Sequence, residues 1–315
     1  MKNIFRRHLL PAALWFLLCG CFCFKNNTPP ELEQLGFKAR SKMPGVFFHP
    51  RTGSVLKLAA DTRICFINGM QFFLPHAVTV DDEGRFRVSE LSIQKVIRPL
   101  FSEKTDNPRC IRTVLLDAGH GDHNLGAVGK KYREKDLNLS LTRKTAAALK
   151  KRGFNVKLTR ADDRFLMLAD RGKMARYKNA DLFLSIHHNA SGNPESCGVE
   201  TYIVTPRGSA SSNDKAHEIH RAAVPGNQHD VVNIRLAAEL QKSLLKHTGR
   251  ADRGVRFARF KVLALSQLPG ALIEAGYISH EKEELLCGKE SEQNKTAEAI
   301  AEAVSRLNQR SQRSN

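Results

Sequence analysis

A chain of 315 residues with 41% hydrophobic content is long enough for one substantial core with a smaller module or an export segment beside it. A formal charge of +18 suits a partner that carries carboxylates or phosphates, so cell wall, anionic lipid and nucleic acid all stay open on charge alone. An aromatic content of 7% and the lack of any recognised binding motif argue against nucleic acid, and the scattered basic residues read as solvated surface.

In chain order, Lys2, Arg6, Arg7 and His8 precede an apolar run over 9–18, the layout of an export signal. Residues 1–24 therefore read as a signal peptide or signal anchor, the run itself being shorter than the roughly 20 residues that span a bilayer. Leu18-Cys19-Gly20-Cys21 is similar to a lipoprotein cleavage box ending at Cys21. The expected location is the periplasm, with membrane contact only through the leader or an attached lipid. Residues 25–41 are polar, contain Pro29 and Pro30, and read as a linker.

Residues 42–105 form a small β-rich module on this reading. Apolar runs at 63–67 and 71–74 flank Asn68-Gly69, a strong hairpin signal; further short strands at 78–80 and 85–88 flank Asp82-Glu83-Gly84, and 89–100 reads as a helix. The Ile67-Asn68-Gly69 and Val88-Ser89 segments are similar to the small N-terminal domains, related to that of copper amine oxidases, found on several envelope enzymes. Three of the seven cysteines fall in the leader. The others, Cys65, Cys110, Cys197 and Cys287, are widely spaced singles, which excludes a disulfide framework and a CxxC zinc pattern and reads as small buried apolar side chains.

From Arg112 the rhythm changes to alternating strands and helices, an α/β fold with a mainly parallel twisted sheet flanked by helices over 110–309. Strands are expected at 113–116, 155–159, 181–186, 199–204, 262–265 and 271–273, and helices at 136–151, 166–178, 232–246 and 291–307. In such sheets ligands collect at the carboxyl ends of strands. One strand runs into Asp117-Ala118-Gly119-His120-Gly121, a second into His187-His188-Asn189 and a third into Glu274-Ala275-Gly276, while Glu134 opens the helix after the first.

Two imidazoles and a carboxylate make a zinc set that leaves the fourth position for water, the arrangement of catalytic rather than structural zinc, and His120, Glu134 and His187 fit it. Glu274 remains as the acid/base that takes a proton from water and hands it to a leaving nitrogen. Singly, a histidine or glutamate after a strand is an ordinary packed or solvated residue. The glycines on both sides of His120, and a charge directly after the apolar strand at Glu274, set this group apart.

Leu116-Asp117-Ala118-Gly119-His120-Gly121, Glu134-Lys135-Asp136-Leu137-Asn138-Leu139, Ser185-Ile186-His187-His188-Asn189-Ala190 and Ile273-Glu274-Ala275-Gly276-Tyr277-Ile278-Ser279 together resemble the zinc-dependent N-acetylmuramoyl-L-alanine amidases of the type-3 family, over about 112–307. Leu168-Ala169-Asp170-Arg171, Gly198-Val199-Glu200-Thr201-Tyr202 and Arg253-Gly254-Val255-Arg256 agree with that resemblance. It implies zinc on His120, Glu134 and His187, catalysis by Glu274, and a peptidoglycan or muropeptide substrate cut between muramic acid and L-alanine. The loop Gly121-Asp122-His123-Asn124-Leu125-Gly126-Ala127 departs from the family's Gly-Gly-x-Asp-Pro-Gly-Ala, which leaves His123 as a competing ligand. Some relatives insert a plugging helix after the strand at 199–204; residues 205–229 are too short and polar for one, so an open site is expected.

Two other classes are compatible with parts of the sequence. Ser-x-x-Lys occurs at Ser54, Ser92, Ser212, Ser243 and Ser279, beside a Ser-x-Asn at Ser191 and a His247-Thr248-Gly249, all fragments of the serine D,D-carboxypeptidase set of penicillin-binding proteins. The best nucleophile among them is Ser92 with Lys95 one turn on. A non-catalytic wall-binding protein is the third class, and the presence of all four key residues opposes it.

Overall fold

The computed structural model describes residues 27–40, 43–101, 110–177, 179–213 and 218–313. The leader, with Cys19 and Cys21, lies outside the described residues. No helix among those described is long and apolar enough to cross a membrane.

The first five strands, β1 (Lys38–Ala39), β2 (Val46–Phe48), β3 (Val55–Leu58), β4 (Ile64–Ile67) and β5 (Met70–Phe73), form an antiparallel run in chain order. Period-two alternation buries Leu56, Leu58, Cys65 and Ile67 and turns Lys57 and Phe66 outward. Asn68 and Gly69, both at positive φ, close the hairpin between β4 and β5. Strands β6 (Thr79–Val80) and β7 (Phe86–Arg87) make a separate ribbon. The helical stretch that follows is α2 (Glu90–Ser92), a π turn (Ile93–Ile97) and α3 (Arg98–Phe101), with Ser89 Oγ accepting from the Ser92 amide at its start.

Part of the expected linker is folded. Pro30 begins α1 (Pro30–Gln34), where its missing N–H costs nothing, and Leu32 and Phe37 are 0% and 1% exposed. The Phe37 ring sits edge-on to Phe101 at 4.8 Å. The polar composition of this segment concealed two apolar side chains that the module's core takes up.

The C-terminal two-thirds continues the same sheet, in the order β5-β12-β11-β13-β10-β8-β9. Its strands are β8 (Thr113–Ala118), β9 (Asn155–Leu158), β10 (Leu182–Asn189), β11 (Val199–Val204), β12 (Asp252–Ala258) and β13 (Gly270–Tyr277), parallel throughout except for the β11–β13 pair. Helices α4 (Glu134–Lys151), α6 (Asp230–Thr248) and α9 (Glu290–Arg313) pack together on one face over Leu116, Leu184, Ile186 and Ile273. Helices α5 (Leu168–Tyr177) and α7 (Lys261–Ala264) cover part of the other, over Leu115, Phe183, Tyr202 and Leu272. A short α8 (Glu281–Gly288) precedes α9.

Two expectations are corrected here. Residues 262–265 are not a strand: Lys261–Ala264 is a helical turn, with the Leu263 and Ala264 amides bonded to Phe260 O. A four-residue apolar run does not by itself separate strand from helix. The true strand is β12, whose Arg253, Gly254 and Arg256 interrupt the apolar signal although Val255 and Phe257 are fully buried. Cys65 and Cys287 are buried as expected, whereas Cys110 is exposed and Cys197 half-buried.

The two parts of the chain share more than a sheet edge. Val255 of β12 pairs with Phe72 of β5, and Asp252 accepts from the Gln71 amide at 2.7 Å. Arg63 donates to Ala210 O at 2.7 Å and Ser211 O at 3.1 Å, and His76 Nε2 lies 2.9 Å from Gly208 O, so the loop after β11 is held against the module. Among the described residues between β11 and the turn Pro225–His229 there is no helix.

Candidate active site

Strand alternation puts Asp117, His187, Glu200 and Glu274 on the sheet face that α5 and α7 cover only in part. His187 and Glu274 do not follow the ends of their strands; both lie inside β10 and β13 and are paired in register. His120 stands two residues beyond β8 with φ +61, an uncommon conformation for a residue with a Cβ, and this turns its ring back over the sheet. Glu134 is the first residue of α4.

These elements bring His120, Glu134 and His187 together, with one candidate ligand atom from each lying within 4.8 Å of the others. Glu134 Oε2 is 3.1 Å from His120 Nε2 and Glu134 Oε1 is 2.9 Å from His187 Nδ1. The two imidazole rings stand edge to face with centroids 5.0 Å apart. A Cβ on Gly119 would fall 2.2 Å from the His187 ring, and one on Gly126 2.5 Å from Glu134 Oε2, so glycine at both positions is what allows the three side chains to converge.

The groups around the cluster fix its orientation. His120 Nδ1 faces Asn124 Oδ1 at 2.8 Å, which leaves Nε2 for the cluster. Glu134 Oε2 accepts from the Ala127 amide at 2.9 Å, and Oε1 from Asn138 Nδ2 at 3.2 Å. Asn138 also meets His188 Nδ1 at 2.8 Å, and burial holds the His188 imidazole down to about 3, so this ring is neutral and structural. Below the cluster, fully buried Asp117 accepts from Thr159, Ser185 and Arg171. Arg171 donates to Ala118 O and His120 O, and Arg160 to Ala118 O and Gly119 O, so two buried guanidiniums hold three successive carbonyls of the His120 turn.

Electrostatics separate the carboxylates. Burial by itself would raise Glu134, but hydrogen bonds from His120 and His187 bring it well below the ordinary range. Burial would likewise lower His120, and the bond to Glu134 with its charge lifts it instead. Glu274 goes the other way: burial first, then the charges of Glu134 and Glu200, push its carboxyl well above the usual value, and its Oε2 has no hydrogen-bond partner. Glu200, in register with Glu274 on β11, accepts from Tyr277 Oη, Asn189 Nδ2 and Arg256 Nη1.

The other sequence candidates are not brought to this place. His123 is exposed, pairs with Asp122 at 3.1 Å and lies against Phe165, so it supplies no ligand. Ser92 is fully buried and its Oγ takes the Ser89 hydroxyl at 2.8 Å, while Lys95 is paired with Asp230 at 2.9 Å. A nucleophile needs access to substrate and a base beside it, and this serine has neither. Sequence reading did not identify Asn124, Asn138, Arg160, Arg171 or Glu200 as parts of the site. Asn138, Arg171 and Glu200 stand in the matching segments, Asn138 one helical turn from Glu134, whereas Arg160 carries no local signal.

A cavity of about 300 Å³ opens beside His120 and His187, walled by Phe165, Leu166, Met167, Leu168 and Val262, with Lys261 at its edge. Site and fold agree with known proteins. Residues 114–306 match the family model of N-acetylmuramoyl-L-alanine amidases. Protein YqiI of Bacillus subtilis (strain 168) is 36% identical over 193 residues, 61% of this chain and 83% of its own length. N-acetylmuramoyl-L-alanine amidase AmiA of Escherichia coli (strain K12) is 30% identical over 216 residues, 61% of this chain and 75% of its own. The catalytic domain of the amidase CwlV from Bacillus (Paenibacillus) polymyxa var. colistinus superposes with a TM-score of 0.51 at 36% identity, covering 62% of this chain and 97% of that domain. With the family model covering more than half of the chain and the expected residues assembled in one place, the chain belongs to the N-acetylmuramoyl-L-alanine amidase family.

Proposed function

We propose that this chain is an exported hydrolase of the cell envelope that cuts the amide between the lactyl group of muramic acid and the L-alanine of the stem peptide, with zinc held by His120, Glu134 and His187. The convergence of those three side chains beside buried Glu274 carries the reading. The donor set fits a catalytic zinc site: two imidazoles and one carboxylate, with His120 oriented by Asn124 and Glu134 by the Ala127 amide and Asn138. When bound, zinc supplies Lewis-acid polarisation of the scissile carbonyl and lowers the pKa of water to about 7.

The chain's own residues supply the rest. Glu274 takes the proton given up by the attacking water and delivers it to the departing alanine nitrogen. Its raised carboxyl moves toward the working pH, where one group serves in both the accepting and the donating step. Asn124 holds His120, Asn138 holds Glu134, and Arg160 and Arg171 hold the turn between them, so the geometry is set before substrate arrives. With no helix among the described residues between β11 and the turn Pro225–His229, we read the site as open without an activator. The leader would be its only membrane contact.

The test is mass spectrometry of peptidoglycan digested by zinc-loaded, chelated and Glu274→Ala protein. Free stem peptides appearing only with zinc and an intact Glu274 support the reading. Loss of terminal D-alanine that survives chelation would replace it with a serine activity.

A further inference from the structure

We infer that the apolar cavity beside the metal cluster is the acyl-side subsite, taking the lactyl and N-acetyl methyl groups of muramic acid, while the stem peptide lies on the opposite side over Glu274 and Glu200. This rests on the amidase reading above and adds a direction to it.

Three observations carry the inference. The first is position. The cavity is bordered by His120 and His187 but not by Glu274. The departing nitrogen must lie against Glu274 to receive its proton, so the other substituent of the scissile carbonyl, the lactyl carbon, points away from that carboxyl and toward the cavity. Small-molecule sites begin at roughly 300 Å³. The cavity's volume of about 300 Å³ therefore suits a lactyl and acetamido group rather than a peptide.

The second is chemistry. Phe165, Met167 and Leu168 are 39%, 61% and 51% exposed, three apolar side chains within four positions that the fold leaves in solvent. No carboxylate lines the cavity, and Arg171 in its wall is already engaged with Asp117 and backbone carbonyls. Lys261 at the edge is exposed and supplies a donor for sugar or acetamido oxygens. On the other side of Glu274 stand Arg253, over the Tyr277 ring, and Arg256, which is bonded to the fully buried Glu200. A neutral, methyl-bearing sugar substituent matches the first surface, and a peptide rich in carboxylates matches the second.

The third is that the apolar wall is held in place. Arg171 Nε donates to Leu166 O at 3.1 Å, and the His123 ring packs on Phe165 with centroids 4.4 Å apart. His123, which the metal cluster leaves aside, thus acts as a prop for the cavity's outer wall.

The experiment compares full-length wild type with Met167→Ala, Leu168→Ala and His123→Ala on a soluble muropeptide, on its de-N-acetylated analogue, on an analogue lacking the lactyl methyl, and on a peptide-amidated form. Met167 and Leu168 are exposed, so these variants keep the fold. Met167→Ala and Leu168→Ala are expected to raise KM about four- to tenfold on the parent muropeptide. That penalty shrinks below twofold on an analogue without the contacted methyl and persists undiminished on the amidated peptide. Saturation-transfer NMR with free N-acetylmuramic acid gives a readout that needs no turnover: its acetyl and lactyl methyl protons receive saturation from wild type and much less from the variants. A KM penalty that instead follows peptide amidation, or equal saturation in wild type and variants, overturns the subsite while leaving the amidase reading intact. Failure of wild type to cleave any of the four substrates overturns the amidase reading, and the subsite with it.

Discussion

His187 and Glu274 lie side by side in register on the parallel strands β10 and β13, with Glu200 in register on the far side of Glu274. A candidate ligand and a candidate acid/base are thus spaced by backbone hydrogen bonds rather than by flexible loops, and their separation is as rigid as the sheet.

Glu274→Gln keeps the shape and removes the proton carrier. Turnover should fall by about 10²–10⁴ while zinc content, measured by mass spectrometry of metals, stays at the wild-type level. The pH dependence of stability has a definite sign in metal-free protein. The raised carboxyl keeps its proton in the folded state where the unfolded chain has lost it, a stabilisation complete below the ordinary glutamate range and lost as pH rises through the raised value. Wild type therefore weakens relative to Glu274→Gln as pH rises from the ordinary glutamate range, about 4.3, through the raised value. A difference in urea midpoint that stays flat over that range would refute this.

Glu134→Gln and Asn124→Ala act on metal uptake. Zinc at a hundredfold excess over its dissociation constant should stabilise wild type by about 2.7 kcal/mol, and Glu134→Gln should show almost none of this in a thermal-shift titration. Asn124→Ala, which removes the acceptor facing His120 Nδ1, should weaken zinc binding about 10–100-fold, with Asn124→Asp recovering most of it. Equal zinc affinity in Asn124→Ala and wild type would remove Asn124 from this role.

Asp117 accepts three hydrogen bonds with no exposed surface, one of them from Arg171, itself 2% exposed. Asp117→Ala leaves a buried guanidinium without its partner, and the expected loss is about 3–5 kcal/mol by urea denaturation. A loss below 1 kcal/mol would show that the carbonyls of residues 118, 120 and 166 satisfy Arg171 without the carboxylate.

Leu32→Ala distinguishes a packed segment from a linker. The side chain is fully buried, so about 2–5 kcal/mol should be lost, against less than about 0.5 kcal/mol for the exposed control Lys57→Ala. Matching stabilities for the two variants would return residues 27–40 to the status of a tether.

The four chemistry-bearing motifs were legible before the fold because each is local: a strand running into Asp117-Ala118-Gly119-His120, a helix opened by Glu134, and apolar runs carrying His187 and Glu274. The α/β rhythm was legible for the same reason, since periods of two and 3.6 residues are written in neighbouring side chains. Element limits moved by a few residues, and β10 and β13 proved longer than their apolar stretches because His187 and Glu274 stay in the ladder.

Sequence by itself determined which residue types could hold a metal and move a proton, and that they would stand on an α/β sheet. Tertiary structure alone decided what surrounds them: Arg160 and Arg171 under the His120 turn, Asn124 behind His120, Glu200 beside Glu274, and β12 joining the N-terminal strands to the same sheet. These relations connect residues tens to hundreds of positions apart, through pairing and burial that no local pattern encodes. An arginine that reads as solvated surface in the sequence becomes a structural clamp only once the strands beside it close over its guanidinium.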